Sequence, residues 1–252
     1  MLDALLHGKL SQKQENMEDI LTSFVFGMIK YLPPKDTLFP FLAKAELLTD
    51  ATTTMPLEFV RQEPETTKVD YEFWPRLKEK ECNPCEPDVL ITITRQKLDP
   101  KIFILIEAKY RSGKSSHRDE SKTPNDQLAK EWDNLKRRAE IQDAIPYLIY
   151  LTADFGFPVE QINESQDELK EDKRGEGKIY WLSWRHFPST GQSKIAEDIS
   201  KVLRARLGLK FYEGISAHSV IPITWKFTKL PISKSFEWLL NPVEEIKWKF
   251  IK

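Results

Sequence analysis

The chain of 252 residues carries 38 basic and 39 acidic side chains, a net charge of −1, with 40% hydrophobic and 31% charged residues. That length suits one large domain or a compact domain with an elaborated lobe, and the composition sustains both a core and a soluble surface. No apolar run approaches the roughly 20 residues of a membrane span, and the near-neutral bulk charge gives no support of its own to a nucleic-acid partner.

The first residues, MLDALLHGKLSQKQEN, show neither an extended apolar core nor a small-residue cleavage site, so a cytoplasmic protein is expected. Segment 16–31 predicts an amphipathic helix: Ile20, Leu21, Phe24, Val25, Met28 and Ile29 recur at three- and four-residue spacing, and Pro33 and Pro34 stop it. By the same spacing Phe24 and Phe26 are core. Segments 57–62 and 69–77 read as strands, the second carrying alternating Tyr71, Phe73 and Pro75. The runs DVLITIT (88–94) and KIFILIEAK (101–109) read as two further strands, joined by a polar connection of hairpin length. A long helix is predicted over 123–143, charged on its outer face. The continuous apolar run PYLIYLT (146–152) predicts a strand covered on both sides. A helix after Pro158, a strand over 179–184 and a helix over 190–207 follow.

The alternation of these elements predicts an α/β fold, a mixed central sheet flanked by helices, over 1–210. Residues 211–252, with Trp225, Trp238 and Trp248 among prolines, are expected to form an aromatic-rich α+β extension packed on the same domain.

Charge is segregated along the chain. Between Arg95 and Arg138 there are twelve Lys/Arg against seven Asp/Glu, a net of +5, and over 159–176 seven acids face three bases, a net of −4. A phosphate-binding face on a near-neutral protein needs such segregation, although each run also reads as a solvated face. Cys82 and Cys85 form a single CxxC with no second pair, and the four histidines are scattered, so ordinary thiols are expected rather than a closed zinc site.

The chemistry concentrates in CEPDVLITI and IFILIEAKY. Side chains alternate along a strand, so Glu107 and Lys109 point to one face and Ala108 to the other. Folding the two strands as an antiparallel hairpin about Leu98 brings Asp88 roughly opposite Ala108, within reach of Glu107 and Lys109. Two carboxylates and an ammonium at the end of apolar strands need compensation, because unpaired buried charge is costly. Oxygen clusters of this kind suit Mg²⁺, which takes one or two carboxylates and keeps water and substrate phosphate. A simple salt bridge at a strand end is the plainer alternative.

The Pro87-Asp88 pair followed by Glu107-Ala108-Lys109 at the end of an apolar strand resembles the PD-(D/E)XK nuclease superfamily, with its restriction-endonuclease-like fold. The resemblance covers about residues 16–152. Glu18 matches a glutamate often found on the helix before the sheet, with Asp19 beside it as an alternative, and Gln127 matches a Gln or Lys on the helix after the ExK strand. Glu131 stands where the RecB-like branch shows a tyrosine.

The resemblance implies that Asp88 and Glu107 hold the metal, with the Ala108 carbonyl as a further ligand. Lys109 would position or activate the attacking water, Glu18 would assist through metal-bound water, and Gln127 would orient the nucleophile or contact phosphate. Mg²⁺ is the expected cofactor, with Mn²⁺ as a substitute, and DNA the expected substrate, with RNA the alternative. A role in restriction, defence or DNA processing follows by analogy, and a homodimer would supply two sites for the two strands of a duplex. The competing reading is a catalytically idle nucleic-acid-binding or protein-docking module of the same fold.

The loop leaving the ExK strand is basic and contains Gly and Ser, so Arg111, Lys114 and Arg118, with Lys130 on the next helix, are candidate phosphate contacts. It is not a P-loop, because Ala108 stands at the place of the motif's first glycine. Among the tryptophans, Trp132 is the candidate for base stacking, since it shares a helix with Gln127.

Overall fold

The computed structural model describes residues 18–47, 53–54, 67–95, 100–110, 112–116, 124–171, 178–188 and 193–205. The chain divides into two units, Met1–Glu213 and Gly214–Lys252, and the described residues all fall in the first. The predicted strand over 57–62 and the aromatic extension over 211–252 lie outside the described residues.

Helix α1 (Glu18–Ile29) is followed by a 3-10 turn at Pro34–Asp36 and the short helix α2 (Leu38–Leu42). The strands are β1 (Glu46–Leu47), β2 (Thr53–Thr54), β3 (Thr67–Phe73), β4 (Val89–Arg95), β5 (Lys101–Ala108), β6 (Ala144–Thr152) and β7 (Ile179–Ser183). Helix α3 (Gln127–Gln142) joins β5 to β6, α4 (Val159–Glu171) joins β6 to β7, and α5 (Lys194–Ala205) follows. These strands form one seven-stranded sheet in the order β2-β1-β7-β6-β5-β4-β3. The pairs β3/β4 and β4/β5 are antiparallel, whereas β5/β6 and β6/β7 are parallel. The mixed, helix-flanked α/β sheet predicted from sequence is therefore present, an arrangement consistent with the restriction-endonuclease-like fold.

Strand alternation sorts the core into two layers. One layer joins Leu21, Phe24, Phe26 and Ile29 of α1 to Ile91, Ile104 and Ile106 of the sheet and to Ile199 and Leu203 of α5. The other joins Leu90, Phe103 and Leu105 to Leu128, Trp132 and Leu135 of α3 and Ile162 of α4. Because β5 is buried along seven of its eight residues, every side chain on it must be apolar or chemically occupied. Glu107 shares the face of Phe103 and Leu105, and so points toward α3.

Three local predictions are corrected. Strand β6 begins at Ala144, two residues before Pro146, and tolerates that proline because β7 pairs with β6 only from Leu148 onward, leaving an edge there. The long helix starts at Gln127, capped by the Asp126 carboxylate on the Ala129 N–H, and ends at Asp143 in the left-handed conformation. In the β4/β5 hairpin Val89 faces Ile106, so Asp88 stands level with Glu107 rather than with Ala108, a shift of one residue from the expected register.

Candidate active site

The site forms at the carboxyl end of β5, where the antiparallel and parallel halves of the sheet meet. Asp88 precedes β4, and its Oδ2 accepts the Ala108 N–H at 2.8 Å. Glu107 is the second-last residue of β5, 3% exposed, and its Oε1 accepts Lys109 Nζ at 2.7 Å. Glu18 arrives from the other layer, at the first position of α1. Its Oε1 accepts Lys109 Nζ at 3.1 Å and its Oε2 accepts the Tyr110 N–H at 2.8 Å and the Ser112 hydroxyl. Asp19 is exposed, so Glu18 is the carboxylate that reaches the site. Gln127, at the start of α3, donates through Nε2 to Glu107 while its Oε1 accepts the Ser115 N–H at 2.8 Å. Thus Asp88, Glu107, Lys109, Glu18 and Gln127, separated by over a hundred residues, converge.

One ligand oxygen from each of Glu18, Asp88 and Glu107 lies within 4.8 Å of the others. This is a hard-oxygen donor set with one ammonium beside it, and it fits a divalent cation of the Mg²⁺ or Mn²⁺ type. The electrostatics agree. Burial, then the Glu107 charge, pushes the Asp88 carboxyl up to about 7. Burial also raises Glu107, against the pull of Lys109. Burial disfavours the Lys109 ammonium, yet Glu107 and Glu18 outweigh it and hold the proton above the ordinary lysine range. Carboxyls that resist ionisation beside a single lysine are a site short of positive charge.

A residue that sequence reasoning missed completes the cluster. Glu131 is buried on α3, and burial, with Glu107 beside it, raises its carboxyl well above the ordinary value. Its carboxyl pairs with that of Glu107, a pairing that needs a proton on one of the two. The signal was present: Gln127 and Glu131 are four apart, and so lie on one helix face.

The basic loop is rebuilt by the structure. Lys114 is a buried side chain with 0% exposure, ion-paired to Asp126 and to Glu164 at 2.8 Å, and donating to the Gln161 carbonyl and Ser165 Oγ. It is therefore not presented to solvent as a phosphate contact; four acceptors, at the cap of α3 and on α4, consume its ammonium. Its role in the fold is to fasten the loop to the start of α3. The same junction is held by Glu168, which accepts the Asn125 and Asp126 N–H groups at 2.8 and 2.9 Å. Lys130 remains partly exposed on α3, bonded to Ser116 Oγ at 3.1 Å. Arg111 and Arg118 lie outside the described residues. Trp132 is 4% exposed and packs between α3 and the sheet, so it is core rather than a stacking platform.

Cys82 and Cys85 are not joined in a disulfide; they stand in the excursion between β3 and β4, where Cys85 and Leu77 exchange backbone hydrogen bonds of 2.9 and 3.0 Å. Burial raises the Cys85 thiol, and the metal-type cluster contains neither cysteine.

Comparison with known protein families matches residues 43–154 to the PD-(D/E)XK nuclease superfamily. This segment belongs to the PD-(D/E)XK nuclease superfamily. No curated protein and no solved structure matched the chain. Pro87, Asp88, Glu107 and Lys109 all fall inside the matched segment; Glu18 lies before it, and joins the site only through the fold. PD-(D/E)XK nucleases use divalent metals and act on nucleic acid, and the acidic cluster supplies ligands of the right kind. Among the described residues no helix is long and apolar enough to cross a membrane.

Proposed function

We propose that this chain is a Mg²⁺-dependent deoxyribonuclease that hydrolyses phosphodiester bonds at the Asp88–Glu107–Lys109 site. The observation that carries the reading is the convergence of Glu18, Asp88 and Glu107 oxygens within 4.8 Å, with the Lys109 ammonium hydrogen-bonded to two of them.

Asp88 and Glu107 would hold the metal, joined by the Ala108 carbonyl and, through water, by Glu18. When bound, the cation supplies Lewis-acid stabilisation of charge on the phosphate and a lowered pKa for water. Lys109 stays protonated beside Glu107 and Glu18. Lys109 is placed to position or activate the attacking water and to offset charge on the phosphate oxygens. Gln127 links Glu107 to the Ser115 backbone and orients the attacking water or the phosphate from the α3 side. Lys130, with Arg111 and Arg118, would contact the phosphate backbone around the site. The reading extends to a cytoplasmic enzyme of restriction, defence or DNA processing, working as a homodimer on duplex substrates.

The test is a cleavage assay on plasmid, linear duplex and single-stranded DNA with Mg²⁺, Mn²⁺ or EDTA. Cutting that needs metal and is lost in Lys109→Ala supports the reading. Full cleavage by Asp88→Ala would overturn the site assignment.

A further inference from the structure

Two exposed aromatic side chains flank the carboxylate cluster, one on each side. After β6, Phe155 is 76% exposed, yet its ring is fixed: the Arg185 guanidinium carbon lies 3.7 Å from its centroid. Arg185 is itself tied down, its Nε donating to the Ala153 carbonyl at 2.9 Å. The turn is pinned again by Ser183 Oγ on the Asp154 carbonyl and by Thr152 Oγ1 on the Asp154 carboxylate, both at 2.8 Å. This turn adjoins the site directly. The Lys109 N–H donates to the Leu151 carbonyl at 2.7 Å, and the Trp184 indole donates to the Lys109 carbonyl at 3.2 Å.

On the opposite flank stands Trp74, 40% exposed, with a left-handed φ of 49°. Its N–H donates to the Asp88 carbonyl at 2.8 Å. A bulky residue in the left-handed region costs free energy, and persists only where its surroundings impose it. In the strand order β6-β5-β4-β3, the reacting positions on β5 and before β4 lie between these two aromatics. Phe155 gains little from burial and Trp74 only part of what it could, and aromatic side chains left exposed beside a polar site are the arrangement expected of a stacking platform.

We propose that the site takes an unpaired nucleic-acid strand, whose bases on either side of the cleaved phosphate stack on Phe155 and on Trp74. This rests on the nuclease reading and names its substrate class. Each base has a π face, so stacking fixes the strand without reading its sequence. A base within an intact duplex has both faces already stacked on its neighbours, so the preferred substrates are single strands, gaps, flaps and frayed ends. The Arg185 guanidinium behind Phe155 adds positive charge to that platform.

The test measures binding of the full chain in EDTA to single-stranded DNA and RNA oligonucleotides containing 2-aminopurine, and to a blunt duplex of the same sequence. Wild type should bind the single strand more tightly than the duplex and quench the 2-aminopurine emission. Phe155→Ala and Trp74→Ala should each weaken single-strand binding about tenfold, with the duplex unchanged and Phe155→Tyr near wild type. Circular-dichroism melting verifies that each variant is folded. Wild-type single-strand affinity in both alanine variants, or equal losses on single strand and duplex, overturns the stacking inference while leaving the nuclease reading intact. If wild type neither binds nor, with Mg²⁺ or Mn²⁺, cleaves any of these nucleic acids, both readings fall.

Discussion

The Oδ2 of Asp88 accepts the backbone N–H of Ala108 at 2.8 Å, a side-chain bond that takes the place of the next rung of the β4/β5 ladder. The carboxylate proposed to offer oxygen to a cation thereby also fixes the end of β5, on which Glu107 and Lys109 stand. Asp88→Asn keeps an acceptor for Ala108 and removes the charge. It should fold normally and lose about 10²–10³-fold in cleavage rate, the loss expected on removing one electrostatic contributor. Asp88→Ala should lose activity equally and also destabilise the fold by about 1–3 kcal/mol, through the unsatisfied Ala108 N–H. Denaturant melts alongside cleavage rates separate the two variants.

The raised carboxyls couple stability to pH with a definite sign. Asp88 ionises at about 7 in the fold against an ordinary 3.8, so the folded state holds a proton that the unfolded state releases. Its contribution is therefore full below about 4, and is lost as pH rises toward 7. In EDTA, Tm should fall across that window, and Asp88→Asn should flatten the decline. Added Mg²⁺ or Mn²⁺ requires ionised ligands, so its gain in Tm should be larger at pH 8 than at pH 5. A Tm in EDTA that climbs steadily from pH 4 to 7 would contradict this charge assignment.

Lys114 is predicted to be a structural residue. Lys114→Met strands Asp126 and Glu164 without their cation, and should cost about 3–5 kcal/mol, the usual price of breaking a buried pair from one side. The dependence of nucleic-acid affinity on salt should be unchanged in protein that remains folded, since no phosphate contact is removed. A shallower salt slope would show instead that this ammonium reaches the substrate.

Glu131 and Trp132, neighbours on α3, differ in what they tolerate. Glu131→Gln offers Glu107 a neutral hydrogen-bond donor, and should fold with stability within about 1 kcal/mol of wild type. Glu131→Leu removes the carboxyl that pairs with Glu107, and should cost about 1–3 kcal/mol by leaving that buried partner short of a hydrogen bond. Trp132→Ala should cost about 3–5 kcal/mol by opening a core cavity. Equilibrium unfolding of the three variants tests the set.

The sequence by itself determined the central strands of the sheet and the pairing of Glu107 with Lys109 on one face. The apolar runs over 88–94 and 101–109 have no alternative to pairing, and an ExK at the end of a strand buried on both faces leaves Glu107 and Lys109 on one side whatever surrounds them. It also named Glu18 and Gln127 through the resemblance, because those positions sit on helices long enough to read from periodicity. Only the tertiary structure decided between Glu18 and Asp19, since adjacent helix residues point about 100° apart and the docking of α1 selects one of them. It likewise turned Lys114 inward, a fate invisible in a Gly- and Ser-containing loop, because the acids that capture it come from the cap of α3 and from α4, 12 and 50 residues further on. The Phe155–Arg185 stack was hidden for the same reason. Local sequence states which face a residue occupies on its own element. Which partner waits on that face depends on packing between elements far apart in the chain, and that is where the chemistry of this site was settled.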